Sequence, residues 1–296
     1  MMGYAARLFI ALQWLLPKQL LSDLVGWLTR IEGGVATRLA IRAFVRLYAV
    51  EMRDAAEPRL DSYTSFNAFF TRALRDDARP LAPEADSFVC PADGTLSEFG
   101  TLVPDRLVQA KGITYSLLEL FDGDAELAAR FEGGNFATIY LAPYNYHRVH
   151  MPCDADARVL RHVPGELFSV NAVTAQGVPG LFCRNERTIT VFQAGPHWLA
   201  MIMVGALNVG SIELVLPTAR PARNRPHNNQ PSRVSLPLDG PALVRGAEFG
   251  RFNMGSTVIV TTSRGWLHWR EDARAGLPVR MGELLGRNLT VDRDRR

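Results

Sequence analysis

The stretch Arg251–Thr262, RFNMGSTVIVTT, decides how the rest of the chain is read. Its second half is a β-branched run, Thr257 to Thr262, which fits a pleated strand. Ahead of that run stand Gly255 and Ser256. One reading is ordinary turn chemistry, because Gly-Ser-Thr is a common way into a strand. The other is that Ser256 attacks its own chain. The glycine gives backbone freedom on one side of such a break, and the serine begins a strand that can stay paired on the other.

Working back from this strand, short β-like runs alternate with Gly and Pro from Ser87 onward. The candidates are 138–142, 188–192, 199–204, 211–216 and 233–236, with Gly195-Pro196 as a turn between two of them. Ser116 and Glu119 have capping-box spacing and signal one helix. Residues 219–232, with prolines and asparagines among arginines, read as a long surface loop.

Before Ser87 the pattern is helical. Residues 1–34 carry the densest apolar clustering, yet the run from Leu8 to Leu16 is interrupted by Gln13 and stopped by Pro17. It falls short of the roughly 20 apolar residues that span a bilayer. Arg7 precedes a short apolar run, as in a signal peptide, but no small-x-small cleavage site follows. Two readings stand: amphipathic helices in a membrane interface with Trp14 and Trp27 at headgroup depth, or a helical hairpin packed on the protein's own core. Val35 to Met52 is again helical, and Arg38, Arg42 and Arg46 share a face that suits anionic headgroups or plain solvent. Ser65 can cap a short helix over Phe66, Phe69 and Phe70, and 75–83 reads as a linker. The expected organisation is a helical, membrane-associating region and linker over 1–83 and a β-rich catalytic domain over 84–296. The fold class is α+β, an N-terminal amphipathic helical region followed by a mostly antiparallel β core, barrel-like or sandwich-like.

Composition removes several classes. Hydrophobic content of 47% and charged content of 21% describe a globular chain, and a net charge of +3 is too small to argue for nucleic acid. Lys18 and Lys111 are the only lysines, so a mechanism that needs one has little choice. Cys90, Cys153 and Cys183 are widely spaced and form no C-x-x-C pair, which speaks for reduced thiols in a cytoplasmic setting.

The residues with chemistry are few. His147 and His150 lie in YLAPYNYHRVHMP, 140–152. As metal ligands they lack a third partner at any known spacing, so no metal is expected. As structural residues they would satisfy buried backbone groups. As catalytic groups, one would be a base and the other a proton donor at neutral pH. Asp93, in PADG, is a turn residue on one reading and an orienting carboxylate behind a histidine on the other.

Taken in order, PADG at 91–94, QAKG at 109–112, YHRVHMP at 146–152, VPGELFSVN at 163–171, RNER at 184–187, VGSIE at 209–213 and GRFNMGSTVI at 250–259 carry a resemblance. The chain resembles phosphatidylserine decarboxylase proenzymes of the bacterial membrane-associated type over nearly its whole length. The tripeptide usual at that family's cleavage point is Leu-Gly-Ser. Here it is Met254-Gly255-Ser256, a change that conserves volume and apolarity.

The resemblance implies a chemistry. Loss of carbon dioxide from an amino acid headgroup leaves a carbanion that needs an electron sink, and pyridoxal phosphate would need a lysine anchor. A pyruvoyl group made from Ser256 needs none. By resemblance, Ser256, activated by His150 with Asp93 behind it, attacks the Gly255 carbonyl. The chain then divides between 255 and 256 into a large chain 1–255 and a small chain 256–296. The substrate amine forms a Schiff base with the pyruvoyl carbonyl, and His147 returns a proton to the product, phosphatidylethanolamine. The implied substrate is phosphatidylserine in an anionic membrane, with the enzyme peripheral on the cytoplasmic side of the cell membrane and a homodimer among its assemblies. The alternative enzyme class is a serine hydrolase that uses Ser256, His150 and Asp93 without self-cleavage, although no G-x-S-x-G elbow is present.

Overall fold

The computed structural model describes residues 3–103, 106–110, 112–207, 211–216, 232–235 and 240–289. Lys111, Val209, Gly210 and the 219–231 part of the expected loop lie outside them.

Pro17 separates the first two helices, α1 (Tyr4–Leu15) and α2 (Lys18–Thr29), which meet at 86°. A proline cannot extend the first helix, so the chain turns there. No single described helix is long and apolar enough to cross a membrane, although the bent pair together has that length and composition. The bent pair is keyed to the 163–171 stretch by its elbow. Gln13 Oε1 accepts from Ser169 N–H at 3.1 Å, Trp14 packs edge-on against buried Phe168 at 4.8 Å, and Lys18 meets Glu166 at 3.1 Å. Leu8, Leu15, Leu20, Leu24 and Trp27 remain exposed on the other side. The core-packed and the surface-apolar readings of this segment therefore each describe one of its faces.

Helix α3 (Gly34–Tyr48) ends with Ala49 in the left-handed conformation, φ 49°. It buries Ile41 and leaves Val35, Leu39 and Leu47 exposed. Of its three arginines, Arg42 is engaged by Asp61 at 2.8 Å. The short helix α4 (Phe66–Phe70) has the expected cap, with Ala68 N–H donating to Ser65 Oγ at 3.1 Å. Ile41, Val50, Phe69 and Phe70 form a small core of their own, and Met254 packs against it.

The β-rich part is dominated by one antiparallel sheet of nine strands. In spatial order they are Ser232–Ser235, Ala155–Val163, Arg187–Ala194, His197–Val204, Ser256–Thr262, Asn135–Leu141, Gly94–Thr101 and Leu277–Val279, with Ala242–Leu243 also paired to Ala155–Val163. The order does not return on itself, so the sheet is not a closed barrel. Gly195-Pro196 makes the expected turn between two strands, with Gly195 at φ 57°, and the Ser116–Glu119 capping box is present. The Ser256–Thr262 strand lies mid-sheet, hydrogen-bonded on both sides and buried along all seven residues. Its β-branched side chains suit that position.

A smaller antiparallel sheet carries His150. Its order is Ile212–Leu214, Glu248–Phe252 and Arg148–His150. The chain leaves it at Phe252 and enters the large sheet at Ser256. Those few connecting residues hold the Met-Gly-Ser tripeptide.

Candidate active site

Two chain segments enclose the tripeptide. Ser256 pairs with Leu141 in the large sheet, and Phe252 N–H donates to His147 O at 3.0 Å. The 141–147 connection thus lies beside the 252–256 connection and is tied to it at both ends.

Asn253 fixes the entry to the second segment. It is 1% exposed, and its Nδ2 donates to Ser211 Oγ at 2.7 Å and Glu213 Oε1 at 2.9 Å. Its Oδ1 accepts from Asn67 Nδ2 of α4 at 3.0 Å. Ser211 Oγ in turn accepts from Arg30, at the end of α2. Met254 follows with φ 116°, a conformation that costs a side-chain-bearing residue of order 1–3 kcal/mol and persists only when its surroundings impose it. The sequence placed the backbone freedom on Gly255. The structure places the unusual angle on Met254 instead, because Asn253 is clamped on one side and the sheet begins on the other. A Cβ at Gly255 would meet no atom of the described residues within 4 Å, and its φ is not in the left-handed region. Neither space nor backbone geometry demands glycine there.

Ser256 is fully buried, and its Oγ has no hydrogen-bond partner among the described residues, neither histidine included. His147 is fully buried, with Nδ1 2.8 Å from Asn145 O and its ring 4.1 Å from that of Phe70. A carbonyl only accepts, so Nδ1 carries the proton and Nε2 presents a lone pair, which has no partner. Burial pulls the imidazole's pKa down to about 3, against the Asn145 hydrogen bond that works the other way. At neutral pH this histidine is an uncharged base and not a ready proton donor.

His150 is held at both ring nitrogens. Nδ1–H donates to Gly246 O at 2.8 Å, and Tyr146 Oη–H donates to Nε2 at 3.0 Å. Its pKa is also lowered, chiefly by burial. Asp93 does not reach it. The Asp93 carboxylate, 6% exposed, accepts a forked contact from Arg79, with Nη2 at 2.6 Å and Nε at 3.0 Å, and a hydrogen bond from Met281 N–H at 2.9 Å. The expected contact behind His150 is therefore made by Gly246, because a buried carboxylate is better compensated by a guanidinium than by a neutral imidazole. Arg79 also bonds Asp54 at 2.8 Å. Burial works against its charge, but the two carboxylates raise its pKa overall.

A cavity of about 210 Å³ opens beside this cluster, lined among others by Arg72, Arg79, Asp93, Asn145, Tyr146 and Arg280. A larger one, about 670 Å³ and lined by Phe88, His197, Arg245 and Trp266, contains none of the site residues. Sequence reasoning missed Asn67, Arg72, Arg79, Tyr146 and Asn253. Each is a common residue type with no diagnostic spacing, and only the fold shows what it faces. Arg187 lies away from this cluster and is consumed by the carbonyls of Leu120, Cys183 and Glu119.

Comparison with known proteins covers nearly the whole chain. The profile of a family described as phosphatidylserine decarboxylase matches residues 66–287, and a second, described as PSD, matches 8–49. The chain is 46% identical over 279 residues to a phosphatidylserine decarboxylase proenzyme of Acidovorax ebreus, covering 94% of this chain and 97% of that one. It is 46% identical over 289 residues to a protein of the same name from Pseudomonas aeruginosa, covering 96% and 98%, and 47% identical over 279 residues to one from Shewanella baltica, covering 93% and 94%.

Proposed function

The chain belongs to the phosphatidylserine decarboxylase family, and from that premise we propose that it is a proenzyme that cuts itself between Gly255 and Ser256. It then converts phosphatidylserine to phosphatidylethanolamine and carbon dioxide with a pyruvoyl group derived from Ser256. One observation carries this reading: a buried hydroxyl without a hydrogen bond follows a glycine that its surroundings do not require.

In cleavage, Ser256 Oγ loses its proton to a base and bonds the Gly255 carbonyl carbon. The base passes that proton to the Ser256 nitrogen as the Gly255–Ser256 C–N bond breaks, and the amide becomes an ester with a free amine. Elimination across the Cα–Cβ bond of residue 256 frees the Gly255 carboxylate and leaves dehydroalanine, which water converts to pyruvoyl with release of ammonia. We assign the base to His150, whose Nε2 exchanges the Tyr146 hydroxyl for that of Ser256. Asp93 favours the protonated imidazole through space. Once formed, the pyruvoyl group supplies the electron sink for the carbanion left by decarboxylation.

His147 serves turnover by delivering a proton to the substrate α-carbon. It must first take one up at Nε2, and a negatively charged headgroup beside it favours that protonation. The fragments 1–255 and 256–296 stay together, because the Ser256–Thr262 strand is paired on both sides within the sheet. The apolar faces of α1 to α3 seat the enzyme on the cell membrane as a peripheral protein, and three free thiols fit its cytoplasmic side.

The test is the intact mass of purified protein. The wild type should yield a 41-residue fragment, 256–296, with a blocked α-ketoacyl terminus, and Ser256→Ala should remain at 32.8 kDa. An uncut wild type that still decarboxylates phosphatidylserine would overturn the reading.

A further inference from the structure

Arg72, two residues after α4, is 5% exposed, and its guanidinium has no hydrogen bond or ion pair among the described residues. Its guanidinium lies over the Phe69 ring, 5.3 Å from Cζ. Nε is sealed from solvent without a partner, while the residue lines the cavity of about 210 Å³. The other enclosed arginines are treated differently. Arg187 meets carbonyls, Arg79 meets Asp93 and Asp54, and Arg148 meets Glu248 and the Thr71 carbonyl. A desolvated guanidinium without an anion is costly, and a cation–π contact is a partial offset.

We propose that Arg72 binds the phosphodiester of the lipid headgroup in this cavity. The proposal rests on the decarboxylase reading above and names the subsite that positions its substrate. The charges around the cavity leave room for an anion: Asp54 and Asp93 are held by Arg79, Glu51 by Arg53, and the exposed Arg280 guanidinium has no ion pair among the described residues. The location suits the chemistry, since Asn145 and Tyr146, two of the lining residues, directly precede His147, and Asn145 holds its imidazole as Tyr146 holds that of His150. The phosphodiester is a better partner than the substrate carboxylate. A guanidinium clamped on the carboxylate would stabilise the ground state against loss of carbon dioxide, whereas the phosphodiester keeps its charge throughout. The planar fork of arginine also matches phosphate oxygens.

The test uses full-length Ser256→Ala protein, which needs no cleavage to bind. Titration calorimetry with glycerophosphoethanolamine, a phosphodiester without a carboxylate, should show binding that falls at least about tenfold when Arg72→Gln is added. Inorganic phosphate should bind at least about tenfold more weakly than glycerophosphoethanolamine in the same cavity. Equal affinity in the two proteins would overturn the subsite, and phosphate binding as tightly as the diester would overturn its assignment to a headgroup. In the cleavable background, Arg72→Gln should still divide at 255–256, with KM for phosphatidylserine in mixed micelles raised about tenfold and kcat little changed. A cleaved variant with wild-type KM would sink the proposal while leaving the pyruvoyl reading intact. Diester binding that depends on Arg72 in a protein whose wild type never cleaves would do the reverse.

Discussion

Asn67 on α4 donates a 3.0 Å hydrogen bond to Asn253, three residues before Ser256. A helix in the N-terminal half thereby grips the segment proposed to break. The grip is shared with Ser211 and Glu213, and the Met254 side chain adds packing on the Phe69–Phe70 core. Replacing Asn253 with Asp removes two donors and sets a carboxylate against Glu213. The expected outcome is loss of about 1–3 kcal/mol of stability and cleavage slowed at least about tenfold, read from thermal melts and a gel time course.

Gly255→Ala separates structural from chemical requirements. The added methyl meets no atom of the described residues within 4 Å, and φ is outside the left-handed region, so stability should be unchanged or raised by up to about 1 kcal/mol, read from thermal melts. Cleavage should nevertheless slow, because the methyl crowds the carbonyl that Ser256 must reach. Equal cleavage rates in the two proteins would show that glycine has no chemical role there.

The two histidines should divide the work. His150→Ala is expected to leave a single uncut chain, since the proposed base is gone, with a rate loss of about 10²–10⁴-fold. His147→Ala should cleave and then fail to decarboxylate. Tyr146→Phe frees His150 Nε2 from its hydroxyl partner, so it should cleave at least as fast as the wild type. An uncut His147→Ala protein would reverse the assignment.

Acid should weaken the fold through the same residue. His147 has a pKa of about 3 when folded against an ordinary value of 6.5, so between those limits the unfolded chain binds a proton that the folded chain does not. Its contribution is complete above pH 6.5 and is lost as pH falls toward 3, by an amount on the order of a few kcal/mol. Melting of the Ser256→Ala protein should drop over this window, and adding His147→Gln should flatten the drop.

The strands were legible because their signal is local. A β-branched run after Gly-Ser, the Gly195-Pro196 turn and the Ser116–Glu119 box each act within a few residues, and each appears where expected. The histidines and Ser256 could be named because their chemistry is rare in the chain and because ordered motifs supported it. Their partners could not. Asp93 and Arg79 are fourteen residues apart and Asn67 and Asn253 are 186 apart, and nothing in either residue's neighbours announces the other. The reach from Asp93 to His150 was an analogy with serine triads. The direct contact is absent because the buried Asp93 carboxylate is taken by Arg79, a cation that composition alone did not locate.

The N-terminal bent pair gives a prediction in which membrane seating and cleavage come apart. Its exposed leucines and Trp27 should bind anionic vesicles, so deleting residues 1–34 should sharply reduce co-sedimentation. The same deletion removes Arg30, which donates to Ser211 at 3.1 Å and through it touches Asn253. A loss of cleavage rate should follow, about twofold to tenfold, because the Arg30–Ser211 hydrogen bond contributes about 0.5–1.5 kcal/mol. Arg30→Ala in the full chain should reproduce the cleavage effect while vesicle binding stays at wild-type level. If the deletion sediments like the wild type, the apolar face has another purpose. If Arg30→Ala cleaves at the wild-type rate, the hydrogen-bond chain from α2 to the Met-Gly-Ser segment transmits nothing.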